Sequence, residues 1–64
     1  MWTVVYMSDN KEAVEKLRRI LTEKQIIVRI RPINQDSGGG CYEVLVPQTE
    51  VDEAQDLIIE EEFH

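Results

Sequence analysis

The chain has 64 residues, with 13 acidic and 7 basic side chains and a formal net charge of −6. This acidity argues against nucleic acid or an anionic membrane surface as a partner, because both reward a basic protein surface. One cysteine and one histidine cannot form an internal disulfide or a closed zinc site.

The short length predicts one domain, 1–64, of marginal stability. Such a domain buries only about 60% of the surface that its unfolded chain exposes. Without a disulfide or a structural metal, self-association is the remaining common source of burial, so we expect a homodimer. We expect no signal peptide and no membrane span, because no basic segment precedes the apolar residues 1–7 and no apolar run approaches about 20 residues. With a single thiol, the cytoplasm is the expected location.

The first half of the chain predicts a strand, a helix and a second strand. Residues 2–7 (WTVVYM) are β-branched and aromatic, which is typical of a strand. Residues 10–24 carry apolar side chains at helical spacing, and Asp9, with an acidic residue three positions later, indicates the helix cap. Residues 26–31 (IIVRIR) alternate as a strand does, and we expect them to end at Pro32, which cannot donate a ladder hydrogen bond.

The second half predicts a loop, a third strand and a second helix. Residues 32–40 hold all three glycines of the chain and predict the loop. Residues 41–46 (CYEVLV) predict the strand. Residues 50–60 predict the helix, with Thr49 as its N-cap.

The order βαββα predicts an α+β, ferredoxin-like fold. A strand, a helix and a strand form a crossover that leaves the first two strands parallel, whereas the second and third strands form a hairpin. Two helices with apolar stripes need a sheet face to cover. We therefore expect a three-stranded mixed sheet in the order 1-3-2, with both helices on one face.

Side-chain alternation predicts a face of the sheet that is open to solvent. In the second and third strands, all the charged residues lie on one side and the other side is apolar, so opposite charges can pair across strands. In the first strand, both sides carry large apolar groups, and the sequence does not say which side meets the helices. An exposed apolar sheet face typically marks an interface. The candidate interaction surface is Trp2, Val4, Tyr6, Arg29, Arg31 and Glu43. The first strand is also a sheet edge without a charge or a proline to protect it.

The segment SGGGC has two readings. Gly38, Gly39 and Gly40 lie between two predicted strands, whereas a phosphate-binding loop leads from a strand into a helix. A hairpin loop is therefore favoured, and a ligand-binding loop formed by these glycines with Cys41 is the alternative. Cys41 has no histidine near it in the sequence to act as a base. We predict no catalytic residue, no cofactor and no metal site, so the chain is not expected to be an enzyme.

Three segments together resemble a known family: MWTVVY, the helix NKEAVEKLRRILTEKQI and the closing YEVLVPQTEVDEAQDLI. The chain resembles, over nearly its whole length, short bacterial proteins described as prokaryotic signal-transducing proteins. The resemblance implies a ferredoxin-like βαββα unit that acts beside other domains, and it supplies no catalytic residue to transfer. The expected function is a non-catalytic interaction or regulatory module with an unidentified protein partner. The alternative is a sensor that binds an anionic or amino-acid-like metabolite at a dimer interface.

Overall fold

The computed structural model describes residues 1–34 and 40–61. The strands are β1 (Trp2–Ser8), β2 (Arg29–Asn34) and β3 (Gly40–Pro47). The helices are α1 (Lys11–Glu23) and α2 (Val51–Glu60), and a 3-10 turn, Gln48–Glu50, precedes α2. Gly38 and Gly39 of the predicted loop, and the terminal residues 62–64, lie outside the described residues.

The three strands form one sheet in the order β1-β3-β2, which confirms the predicted α+β, ferredoxin-like arrangement. β3 pairs antiparallel with β1 on one side and with β2 on the other. β1 and β2 therefore run parallel, as the crossover requires. The sheet is not mixed in its pairing, because β3 separates the two parallel strands and both hydrogen-bonded pairs are antiparallel.

Both helices cover the same face of the sheet, and the core lies between these two layers. α1 and α2 contact each other as well as β1 and β3. Burying each large aliphatic side chain contributes about 1.5–3 kcal/mol, so this layer holds the short helices in place. The core consists of Val14, Leu17, Leu21, Ile26, Val44, Val46, Ala54 and Ile58.

The start of α1 corrects the predicted cap by one residue. Asn10, not Asp9, is the N-cap, and its side chain accepts hydrogen bonds from the backbone N–H groups of Glu12 and Ala13 at 3.0 and 3.4 Å. The Asn10 N–H in turn donates to Ser8 Oγ at 3.1 Å. Aspartate and asparagine are nearly equal as caps, so the residue types alone could not distinguish two adjacent candidates.

The end of α1 is a Schellman motif, in which a residue with positive φ closes the last turn. Gln25 has φ 64° and occupies the position that usually holds glycine. The Gln25 N–H donates to Thr22 O at 2.9 Å, and the Ile26 N–H donates to Leu21 O at 3.0 Å. Because this motif turns Ile26 back onto the core, residues 26–28 do not join the sheet, and the predicted start of the second strand was wrong.

The end of the second strand was also predicted wrongly. β2 begins at Arg29 and runs through Pro32 to Asn34. Pro32 pairs with Tyr42 of β3 without ending the ladder. It is tolerated because β2 is an edge strand, and proline in sheets is confined to positions where no ladder donor is needed.

The start of α2 differs from the predicted Thr49 cap. Gln48–Glu50 form a 3-10 turn, and Glu50 is the N-cap of α2 without a side-chain cap hydrogen bond. Asp52 and Glu53 lie in the first turn of α2. Their negative charges interact favourably with the positive end of the helix dipole, which stabilises the start in place of a capping hydroxyl.

Candidate interaction surface

A β-bulge in β1 determines which side chains reach the open side of the sheet. Val4 lies opposite Leu45, but the next paired residue is Tyr6, opposite Val44, so Val5 is an extra residue. Val5 and Tyr6 both pack against the core. After the bulge the alternation resumes with the opposite parity, and Met7 pairs with Glu43.

The bulge corrects one member of the predicted surface. Regular alternation placed Tyr6 on the same face as Trp2 and Val4, and Met7 on the other face. Tyr6 instead lies on the core side, and Met7 takes its place on the open side with 57% of its surface exposed. The remaining five predicted residues do share one face. We define the open face as Trp2, Val4, Met7, Arg29, Arg31, Ile33, Cys41, Glu43 and Leu45.

One half of the open face is held by a cation–π contact. The guanidinium carbon of Arg29 lies 4.9 Å from the centroid of the Trp2 ring, within the range of favourable interaction. Since these residues belong to the two edge strands, their side chains meet above β3. Leu45, which pairs with both Val4 and Arg29, is only 6% exposed although it faces away from the helices. The contact therefore gives the open face a small packed layer of its own.

The other half of the open face is held by an ion pair. Arg31 and Glu43 are directly opposite in the β2–β3 ladder. Arg31 Nε donates to Glu43 Oε1 at 2.8 Å, and Nη2 donates to the same oxygen. Glu43 is only 14% exposed, whereas Arg31 is mostly exposed. This arrangement confirms the predicted cross-strand pairing of opposite charges.

The described part of the glycine segment is strand, not loop. Gly40 begins β3, and Cys41 pairs with Ile33 of β2. Cys41 is a free, half-buried thiol on the open face. The position of Gly38 and Gly39, which the ligand-loop alternative needs, lies outside the described residues.

The outer side of β1 forms one edge of the sheet. β1 pairs with β3 along one side, and it occupies the end of the strand order. The strand carries no charged side chain and no proline. β2 forms the other edge and carries both Arg29 and Pro32. Charges and prolines are the usual means by which proteins discourage edge pairing, so the two edges differ in their readiness to accept a further strand.

Other features of the described residues point to no enclosed site. A depression on α1 is lined by five charged residues of that helix alone, so it has no opposing wall. In residues 1–34 and 40–61, no group of three or more histidine, cysteine or acidic side chains is placed to hold a metal ion. Neither α1 nor α2 has the length and the apolar composition that crossing a bilayer requires.

A scan against protein-family models, a search of curated proteins and a search of solved structures each find no match to this chain. The resemblance to prokaryotic signal-transducing proteins therefore stays a prediction from the sequence motifs.

Sequence reasoning missed Met7 and Ile33 as members of the open face, and it missed the burial of Leu45. Ile33 was assigned to the loop 32–40 but lies in β2. Met7 was assigned to the opposite side because a bulge leaves no mark in the apolar pattern of β1. Leu45 was placed on the correct side, but its burial depends on Trp2 and Arg29 meeting across β3. A tryptophan and an arginine on the two strands that flank β3 are the one signal that pointed to such a contact.

Proposed function

We propose that this chain is a small non-catalytic interaction or regulatory module that acts as a homodimer, with the open face and the β1 edge as its working surface. The observation that carries this proposal is the exposure of Trp2, Val4 and Met7 side by side on one strand. Exposed large apolar residues that form a contiguous patch mark interaction sites in small domains. A role in signal transduction follows from the family resemblance alone, and the cytoplasm is the proposed location because the one thiol is free.

The charges of the open face favour a protein partner over a small anion. A receptor for an anionic metabolite needs a guanidinium with unused donors that converge on the ligand. Arg31 already bonds to Glu43, and Arg29 is stacked on Trp2. Tryptophan and arginine are also the residue types enriched at the energetic centres of protein interfaces. The ligand-sensing alternative stays a prediction, and no contact of the described residues favours it.

The same contacts argue for a non-catalytic role. A thiol nucleophile needs a base or a positive setting that stabilises the thiolate. The carboxylate of Glu43 lies on the same strand face as Cys41, and the guanidinium of Arg31 is committed to that carboxylate. The Arg31–Glu43 pair on this face therefore offers Cys41 no unpaired positive charge.

Sedimentation velocity over a concentration series tests the proposal. We expect a reversible dimer for the native chain and about a hundredfold weaker dimer for Met7→Ser, since the substitution is present in both protomers and each lost methionine costs roughly 1.4 kcal/mol. Ile27→Ser is the matched control, because Ile27 is 66% exposed but lies before β2, near the opposite edge of the sheet. Its dimer should match that of the native chain.

Two results would contradict the proposal. One is a native chain that stays monomeric at about 100 µM, a concentration that corresponds to only about −5.5 kcal/mol of binding free energy. The other is a dimer that Met7→Ser and Ile27→Ser weaken equally, because the apolar part of the open face would then have no special role.

A further inference from the structure

We infer that two copies of this chain associate edge to edge through β1, antiparallel, in the one register that the bulge at Val5 permits over six residues. The inference rests on the proposed homodimer and specifies the surface that each copy presents. The two three-stranded sheets would join into one sheet of six strands around a two-fold axis perpendicular to the sheet.

Charge selects β1 among the elements of the fold. The chain has a net charge of −6, so two copies repel each other unless they meet where charge is absent. α1, α2, β2 and β3 all carry ionised side chains, whereas the sequence of β1, WTVVYMS, carries none. In residues 1–34 and 40–61, no strand pairs with the outer edge of β1, and backbone hydrogen bonds can form there without placing like charges opposite each other.

Stacking of two open faces is less favourable than edge pairing. It would bury the ion pair between Arg31 and Glu43 of both copies, together with both Arg29 side chains. Removing charges from water is strongly unfavourable unless new partners replace the solvent. Edge pairing leaves these charges where they are, on the solvent side of the enlarged sheet.

The bulge restricts the register of the pairing. Residues directly opposite each other in an antiparallel pair project to the same face. In β1, the open side holds Trp2, Val4 and Met7, while Thr3, Val5, Tyr6 and Ser8 lie on the helix side. Pairing Thr3 with Ser8, Val4 with Met7 and Val5 with Tyr6 matches the faces at every position. Shifting the two strands relative to each other gives other registers. Each of these either places an open-side residue opposite a helix-side residue or pairs no more than three residues of each strand.

Without the bulge, this register would fail. In a regular strand, residues whose numbers sum to an odd value lie on opposite faces, so Val4 and Met7 could not face each other. The extra residue reverses the parity between Val4 and Tyr6. The same irregularity that buries Tyr6 therefore makes β1 self-complementary about its own centre.

The resulting dimer would carry a continuous apolar stripe at its centre. Val4 of one protomer would contact Met7 of its partner, and the relation would be repeated by the two-fold axis. Such cross-strand apolar pairs stabilise an antiparallel strand pair. The Arg29 side chains would flank the stripe on both sides, since β2 forms the outer edge of each half. An apolar centre with a charged border is the usual composition of a protein interface.

Electrostatic repulsion between the two copies of α2 opposes this pairing. α2 contacts β1 and carries exposed acidic residues, so the two acidic helices approach each other across the axis. The tests are therefore carried out at about 0.5 M salt, where the Debye length is roughly 4 Å and this repulsion is screened.

Disulfide trapping tests the register. Two single-cysteine proteins are prepared in a Cys41→Ser background, one with Val4→Cys and one with Met7→Cys; both new positions are exposed and outside the core. Opposed residues have Cα atoms about 4.5–5.5 Å apart, within disulfide range, whereas like residues would lie roughly 11 Å apart. After mild oxidation we expect at least about tenfold more cross-linked dimer in the mixture than in either protein alone. Intact mass distinguishes the mixed species.

The outcomes separate the two proposals. Thr3→Cys mixed with Ser8→Cys is a second pair in the same register and replaces the first pair if either variant fails to fold. Efficient trapping of Val4→Cys with itself overturns the register. If native mass spectrometry shows a dimer but neither mixed pair forms a disulfide, the edge pairing is wrong and the proposed homodimer is retained. A monomer in that measurement overturns both proposals.

Discussion

Comparing Tyr6→Ala with Met7→Ala tests the bulge, on which the assignment of the open face depends. Regular alternation from Trp2 and Val4 would place Tyr6 in solvent and Met7 against the helices. The structure has the reverse, with Tyr6 packed on the core and Met7 mostly exposed. The two substitutions are neighbours in the chain, so local effects on strand propensity are closely matched, and the difference in stability reports the faces.

The expected difference follows from the buried area. An aromatic side chain buries about 150–250 Å² when fully packed, so a partly buried Tyr6 removes roughly 100 Å² or more from water. At about 25 cal/mol per Å², Tyr6→Ala should lower the free energy of unfolding by about 2–3 kcal/mol. Met7→Ala should lower it by less than about 1 kcal/mol, since over half of Met7 is already in water. A chain of this length is expected to have only about 3–9 kcal/mol of stability, so the first change is severe.

Urea denaturation followed by far-ultraviolet circular dichroism measures both values. The proteins are held at low micromolar concentration, so that dissociation of a weak dimer contributes little to the apparent stability. With a slope near 1 kcal/mol per molar urea for a small domain, the midpoints of the two variants should differ by about 1–3 M. An equal or larger loss in Met7→Ala would refute the bulge and, with it, the register inferred for the dimer.

Two further predictions concern the ends of α1. Asn10→Ala should lower the free energy of unfolding by about 1 kcal/mol because it removes the N-cap. Asp9→Ala should change it by less than about 0.5 kcal/mol. Thermal melts compare the two variants, and equal losses would show that Asp9 is also a cap. Gln25→Gly should raise stability by about 0.5–1 kcal/mol because glycine adopts φ 64° without strain. Thr22→Gly is its control inside the helix and should lower stability by roughly 0.3 kcal/mol, since glycine is only slightly worse than threonine as a helix former, so a loss in both variants would contradict the strained turn.

The sequence predicted most of the fold because its charges leave few alternatives. In β2 and β3, the arginines and Glu43 lie on one side of the alternation, and the other side carries no charge, so a slip of one residue would bury charge. The structure has this register, with Arg31 opposite Glu43. The strand order 1-3-2 then follows from the hairpin and the crossover, because β3 can pair with both neighbours.

β1 could not be predicted to the same depth because both of its sides are apolar. Moving Tyr6 from one face to the other exchanges one large apolar group for another, Met7, so the pattern carries no penalty against a bulge. The predicted end of the second strand at Pro32 was wrong for a related reason. Whether proline ends a strand depends on whether that strand lies at the edge of its sheet, and the local sequence does not show this. The cap of α1 was missed because Asp9 and Asn10 are chemically equivalent for that purpose.

The distribution of charge along the chain and the uncharged composition of β1 together determine where two copies can meet without repulsion. All the basic residues lie in residues 11–31, and residues 32–64 carry nine acidic residues and no basic residue. The fold packs the basic α1 against the acidic α2, and it pairs Arg31 with Glu43, so part of the opposite charge is brought together within one molecule. Of the helices and strands in the described residues, α2 carries acidic side chains without a basic one, and β1 is the element without a charged side chain. The homodimer that we propose would therefore have its least costly contact at β1, because the charged elements of two copies repel each other. Since the bulge matches the faces of two such strands, that contact would also bring Val4 and Met7 of the two copies together and extend the open face across the dimer.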